Sequence, residues 1–281
     1  MTRAFRRLFG LWRATVAAAT FAAALTTAPA HAAPDASGPC LATVALVHDI
    51  GRDSTEFTGL GAVLHAAGYC TTTMTYGASA ATPLLARTGT GAAGLAPLDD
   101  SAAELSALLD TPAGSGAAPT AIVAHGAGSL AAHYALQHGH GRAVRTFVTL
   151  GPIWNGTNLG ELGTIERINR AIGTYDTVLG LERPIVDPIC GGCRQLVTGS
   201  SFLAELHRSG LPLPSLNYTD ILTMTDRLVV PPQASELPGI RSVTLQQLAA
   251  GSLTDHFELP DDPVVQRLTV AALRQPTGPV T

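Results

Sequence analysis

Residues Ala121 to Leu136 read AIVAHGAGSLAAHYAL, an apolar run that passes through small residues and glycines straight into a helix. No linker separates the two patterns, so the chain turns sharply between Ala124 and Gly128. A strand-to-helix turn of this kind holds one residue in a strained conformation, and its neighbours must be small enough for backbone to crowd backbone. Ala124, Gly126, Ala127 and Gly128 meet that requirement.

On both sides of this unit the pattern alternates strand and helix, which argues for a mostly parallel sheet with helices on both faces. Ala42 to Val47 is a continuous apolar run of buried-strand type, and Phe57 to Ala67 reads as the helix after it. Cys70 to Met74 reads as the next strand, and Ser79 to Pro97, mostly Gly, Ala and Thr, as a loop. Ser101-x-x-Glu104 has the form of a capping box opening a helix that ends near Asp110. Val144 to Leu150 is a further strand, stopped by Gly151-Pro152. The alternation then breaks over about residues 157–216, which reads as an insertion between two core strands. Tyr218 to Met224 reads as a strand leading to Asp226, and Pro263 to Leu273 as a helix.

The N-terminus has the form of a targeting segment. Arg3, Arg6, Arg7 and Arg13 precede an alanine-rich apolar stretch, Ala14 to Ala28, and Ala30-His31-Ala32 is an A-x-A cleavage site. Residues 1–32 are therefore expected to be a signal peptide and 33–281 a single domain. The apolar run is short for a membrane span and ends in small residues and proline, so no stable span is expected after cleavage. Arg6-Arg7-x-Phe9 suits the twin-arginine route, and the apolar stretch equally suits the general secretory one. The chain carries a net charge of −4, and loss of the four leader arginines takes the remainder to about −8. No basic cluster survives to attract nucleic acid or an anionic membrane surface. Four cysteines in an exported chain read as two disulfides. Cys190-Gly191-Gly192-Cys193 is a C-x-x-C without a surrounding β-α-β redox pattern, which favours a structural staple over redox or metal chemistry.

The central unit resembles the nucleophile elbow of secreted class 2 lipases and esterases, an α/β-hydrolase family found in actinobacteria. Val123, His125, Gly128 and Tyr134 stand where that family's V-G-H-S-x-G-G elbow and its helix place them. The similarity continues through TVALVH, Gly68-Tyr69-Cys70, Tyr76-Gly77-Ala78, TDRLVVPP and DHFELPDDPVV, in the family's order. The resemblance implies an α/β-hydrolase fold, an insertion shaped as a lid, a Cys40 to Cys70 disulfide and an ancestry in acyl-ester hydrolysis and lipid catabolism. It implies an acyl ester or lipid as ligand, a monomer, and no cofactor. By chain order it gives Asp226 the role of the acid and His256 that of the base.

The departures from the family fall on the reacting positions. Gly126 stands where the serine nucleophile belongs, and glycine has no side chain to attack a carbonyl. In the oxyanion loop, to which Asp49, Ile50 and Ala127 are assigned, Asp49 stands in place of a glycine. A carboxylate there opposes stabilisation of a developing oxyanion, an effect worth about 3 kcal/mol per donor in working enzymes. Ser129, three positions beyond Gly126, is carried off the elbow by the first helical turn and is expected to pack there. The gap at Gly126 leaves room for a water with His256 as its base, a weaker route to ester hydrolysis. These readings predict a lipase-like protein with lost or strongly reduced activity, or a pseudoenzyme that binds lipid or a partner. His48, Asp49, His125, Asp226 and His256 could converge as metal ligands, but histidines beside such a turn more often pack or hydrogen-bond, and no metal is expected.

Overall fold

The computed structural model describes residues 39–85, 87, 92–111, 118–158 and 175–275. The signal-peptide assignment to residues 1–32 lies outside them, as do residues 159–174 of the insertion.

Six strands form one sheet in the order β2-β1-β3-β4-β5-β6, every neighbouring pair parallel. They are β1 (Thr43–Val47), β2 (Cys70–Thr73), β3 (Ala121–His125), β4 (Thr146–Leu150), β5 (Asn217–Leu222) and β6 (Arg241–Thr244). The described helices are α1 (Thr58–Ala66), α2 (Thr82–Leu85), α3 (Leu98–Asp110), α4 (Ala127–Gln137), α5 (Tyr175–Gln195), α6 (Ser201–Arg208), α7 (Leu245–Leu248) and α8 (Pro263–Leu273).

Strand residues alternate between two apolar layers, as the two-residue period of a strand requires. Ala45, Val47, Ile122, Ala124 and Phe147 face a core that includes Leu98, Leu105 and Leu109 of α3 and Leu130 of α4. Val44, Leu46, Val123, Val148 and Leu150 face the opposite core, filled by Leu60 and Leu64 of α1 and Val265 of α8. Burying each of the larger apolar side chains among them contributes about 1.5–3 kcal/mol. β1, β3 and β4 are buried along their whole length because both faces are covered.

Two sequence expectations need correction. Helix α3 begins at Leu98, so Ser101 lies a turn inside it, fully buried and with its Oγ unpartnered, and the Ser101-x-x-Glu104 capping box does not form. Asp99 and Asp100 occupy the first turn, where the helix dipole favours acidic side chains, and Glu104 instead accepts from the Gly77 N–H at 3.1 Å. The Ser79 to Pro97 stretch holds the short helix α2 as well as loop. The edge strand β6 carries no strand signal in the sequence, because Arg-Ser-Val-Thr is short, polar and partly exposed. Within the insertion, Phe202, Leu203 and Leu206 of α6 enter the α3/α4 core, so that segment is part of the body of the domain.

Both expected disulfides are present. Cys40 and Cys70 are joined with their Cα atoms 5.5 Å apart, and Cys190 and Cys193 with theirs 5.3 Å apart.

Candidate active site

β3 delivers the chain to Gly126 in the centre of the sheet, where the backbone adopts φ 47° and ψ −121° before entering α4. That conformation favours glycine, and it is the strained turn the small residues anticipate. The Gly126 N–H is anchored on the Leu150 carbonyl of β4 at 3.0 Å. Gly128 is required for a different reason, since a β-carbon there would lie 2.3 Å from the His48 carbonyl oxygen.

The loop after β1 brings Asp49 over this turn, fully buried. Asp49 Oδ1 accepts a hydrogen bond from the Ala127 N–H at 2.6 Å, the first amide of α4. Oδ2 meets His256 Nε2 at 3.1 Å. The space above Gly126 is therefore occupied, and a β-carbon built on Gly126 would lie only 2.0 Å from Asp49 Oδ1. This overturns the expectation of a water-sized gap. The carboxylate accepts the amide bond that an oxyanion would otherwise take, and it reaches the histidine as a nucleophile would.

His256 opens a short 3-10 turn that is fixed by reciprocal capping. Asp255 accepts from the Phe257 N–H, and Glu258 accepts from the Asp255 N–H. The imidazole is fully buried, with Nδ1 2.6 Å from Asp226 Oδ2. Asp226, four residues past the end of β5, is itself held by the Leu228 and Val229 N–H groups on Oδ1, at 2.8 and 2.7 Å. Both nitrogens of His256 thus face carboxylates, which the imidazolium satisfies by donating twice. Burial works against that charge, but the hydrogen bonds to Asp226 and Asp49 outweigh it and push the His256 pKa up to about 10. Burial likewise opposes the Asp49 charge, yet the His256 hydrogen bond, the nearby His125 and His256, and the Ala127 amide hold its carboxyl well below the usual range.

A ring of contacts closes around the pair. The Asp49 N–H donates to Glu56 Oε2 at 2.9 Å, and Glu56 Oε1 meets His125 Nδ1 at 2.9 Å. His125 Nε2 donates to the His256 carbonyl at 2.9 Å, which returns to the His256–Asp49 contact. Nothing in the chain's motifs pointed to Glu56. It lies seven residues past Asp49 in a 3-10 turn, and only the fold aims it inward.

The other candidate residues are placed as follows. Ile50 is buried in the apolar core beside the loop. Ser129 is fully buried and directed at the Ala124 carbonyl 3.4 Å away, off the elbow tip. His48 turns from the site to stack on Tyr76, with Nδ1 donating to the Asp49 carbonyl and Nε2 accepting from the Tyr76 N–H. Of the five conceivable metal ligands, Asp49, His125 and His256 come within 4.8 Å of one another. The two rings, however, stack at 4.8 Å with 24° between their planes, so their in-plane lone pairs do not meet at one ion. Their nitrogens are also already engaged with oxygen acceptors.

No sequence family and no curated protein matches the chain. Solved structures do. The Aspergillus fumigatus lipase B structure aligns with a TM-score of 0.61 at 16% identity, covering 85% of this chain and 54% of the lipase. The chain thus spans about half the length of that enzyme. Bacillus licheniformis lipase BlEst2 aligns with a TM-score of 0.55 at 14% identity, over 84% of this chain and 93% of the lipase. An extracellular α/β-hydrolase from a Paenibacillus species aligns with a TM-score of 0.50 at 13% identity, over 83% of this chain and the whole of that one. With its six-stranded parallel sheet covered by helices on both faces, this chain has the α/β-hydrolase fold.

Proposed function

We propose that the protein is a secreted, lipase-like α/β-hydrolase-fold protein that has lost serine-dependent ester hydrolysis. One observation carries this reading: the Asp49 carboxylate stands over Gly126, bonded to the Ala127 amide and to His256. An ester carbonyl needs a nucleophile at that point and an amide for its oxygen. Here the nucleophile's side chain is missing and the amide is taken. The neutral imidazole required of a general base is also disfavoured, because Nε2 donates to Asp49. Water activation by His256 on an ester therefore has little support.

Export is supported by the basic and apolar leader with its A-x-A site and by the two disulfides, which persist in oxidising compartments. The ancestral ligand class, an acyl ester or lipid, rests on the resemblance to secreted class 2 lipases. The test is incubation with a fluorophosphonate and a short-chain p-nitrophenyl ester. No serine labelling and no ester turnover above that of His256→Ala are expected. Stoichiometric labelling of Ser129 or any other serine overturns the reading.

A further inference from the structure

The Cys190–Cys193 disulfide interrupts α5, since Cys190 has φ −152° and ψ 76° inside an otherwise helical run. Its two sulfurs are unequally placed, with Cys190 buried and Cys193 exposed. Joining residues only 3 apart, it restrains little of the unfolded chain, so its main effect is on local conformation. That conformation seats the segment on the chain that enters α3. The Gly192 N–H donates to the Leu95 carbonyl at 3.1 Å, the Leu98 N–H donates to Gln195 Oε1, and Gln195 Nε2 donates to Asp99 Oδ1 at 2.9 Å. The approach is close, since a β-carbon on Gly191 would lie 2.8 Å from the Pro97 ring and one on Gly192 2.8 Å from the Ala96 carbonyl oxygen. The same stretch braces the loop after β1. The Gly51 N–H donates to the Ala93 carbonyl, the Ala93 N–H donates to the Arg52 carbonyl, and a β-carbon on Gly94 would lie 2.8 Å from the Asp49 carbonyl oxygen.

We propose that this disulfide is a thiol-exchange site opened by an external dithiol, and that its reduction releases residues 190–196 from the 93–98 stretch while the sheet stays folded. A thiolate of the dithiol attacks Cys193 Sγ, the exposed sulfur. A bond forms between the two sulfurs, the Sγ–Sγ bond of the protein breaks, and its electron pair stays on Cys190 Sγ. That thiolate takes a proton, because burial disfavours its charge. The second thiol of the reagent, as thiolate, then attacks the reagent sulfur of the mixed disulfide, and Cys193 leaves as a thiolate that is protonated from water. The dithiol is oxidised to its own internal disulfide, and the protein is reduced to a pair of thiols. The proposed role is that of a target of exchange, not of a catalyst of exchange in other proteins.

Exposure decides which sulfur reacts. Exchange requires an accessible sulfur, and exposed disulfides are the labile ones. Cys193 offers that access and Cys190 does not. The spacing decides which reagent succeeds. After attack by a monothiol, Cys190 is still only three residues away and recloses the bond at high effective concentration before a second monothiol arrives. A dithiol competes with that return because its own second thiol is equally tethered. Once the disulfide is open, the Asp187–Arg194 pair still spans the break at 3.0 and 3.1 Å, but both side chains are partly exposed and such pairs hold weakly.

The test incubates the full chain with dithiothreitol or with glutathione at equal thiol concentration, quenches by alkylation, maps the cysteines by peptide mass spectrometry and follows hydrogen exchange on the same samples. Dithiothreitol should give alkylated Cys190 and Cys193 with the Cys40–Cys70 link still closed. Amide exchange over 93–98 and 190–196 should then rise by about tenfold or more, while Thr43–Val47 and Ala121–His125 stay protected. Glutathione should leave the pair closed, with any adduct caught early carried by Cys193, and reoxidation of the dithiothreitol sample should restore protection. A pair that resists dithiothreitol, equal opening by glutathione, an adduct on Cys190, unchanged exchange over 93–98 after reduction, or lost protection throughout the sheet each overturns the proposal. Cys190→Ser with Cys193→Ser should show the raised exchange without reductant, and the wild-type measurements decide the matter if that variant does not fold. Serine labelling or ester turnover overturns only the preceding reading.

Discussion

A β-carbon on Gly126 and the carboxylate of Asp49 exclude one another, since the two would be 2.0 Å apart. Gly126 and Asp49 therefore form one structural unit, in which the carboxylate fills the space that a side chain at residue 126 would require. Gly126→Ser alone does not restore a nucleophile to a waiting base.

The single change Gly126→Ser is accordingly expected to give no esterase activity and to lower stability by about 1–3 kcal/mol, from overpacking and left-handed strain. Asp49→Gly combined with Gly126→Ser frees the space, the Ala127 amide and the His256 Nε2 together. The double variant should hydrolyse short acyl esters at a rate well above the sum of the two singles, because both changes act on one transition state. A folded double variant as inactive as its His256→Ala control would show that the site has decayed beyond these two residues.

The pair should also write a pH profile into stability. Asp49 has a depressed pKa, so its contribution is full above the ordinary carboxylate range and lost as the pH falls below it. His256 is raised from 6.5 to about 10, so its contribution is full below pH 6.5 and lost as the pH climbs through about 10. Urea unfolding at about pH 6, 8 and 10 should show stability falling along that series. Asp49→Asn should flatten the alkaline fall by removing one of the two carboxylates that hold the proton on His256. An unchanged slope in the variant would mean that Asp226 alone sets the shift.

Asp220 is shifted in the direction opposite to Asp49. It is fully buried in β5, with Oδ1 bonded by the Thr149 hydroxyl at 2.5 Å and Oδ2 by the Trp154 indole N–H at 2.9 Å. Burial pushes its pKa up to about 7 despite both bonds. For an acid with a raised pKa, the folded state is favoured by protonation, so this contribution declines from pH 3.8 to about 7. Asp220→Asn should therefore be more stable, relative to wild type, at about pH 8 than at about pH 4. Equal effects at both values would place the titration elsewhere.

Glu56 holds the ring together from outside the reacting groups. Glu56→Ala leaves the Asp49 N–H and His125 Nδ1 without their partner, at a cost of about 2 kcal/mol or more. Glu56→Gln, which keeps a carbonyl and an amide at the same reach, should recover part of it. Chemical unfolding of the two variants side by side checks this, and equal losses would mean that the charge, not the hydrogen bonds, is what Glu56 supplies.

The disulfides differ in expected weight. Cys40 and Cys70 are 30 residues apart and Cys190 and Cys193 only 3, so the first restrains much more of the unfolded chain. Cys40→Ala with Cys70→Ala should cost about 3 kcal/mol, and the second pair's removal distinctly less. Non-reducing peptide mapping of the protein should recover both links as intact pairs.

Much of this architecture is legible in the chain itself, because local signals suffice for it. The apolar runs at Thr43–Val47 and Ala121–His125, the small residues around Gly126, and the proline and aspartate that open α8 specify strands, turn and helix without outside help. So did the absence of a hydroxyl at residue 126 and the presence of a carboxylate at residue 49. The edge strand β6 and the start of α3 were not legible, because their identity depends on a neighbouring strand and on the dipole of a helix whose boundaries are blurred by Pro97, Asp99 and Asp100.

The relation between Gly126 and Asp49 belongs to tertiary structure alone. The two are 77 positions apart, and no periodicity or spacing says that one fills the volume the other leaves. Residue types along the chain determined which groups are present and that a serine is not among them at the turn. The parallel packing of β1 beside β3 decided that the Asp49 carboxylate reaches the Ala127 amide and His256, since that register sets the loop after one strand directly over the turn after the other.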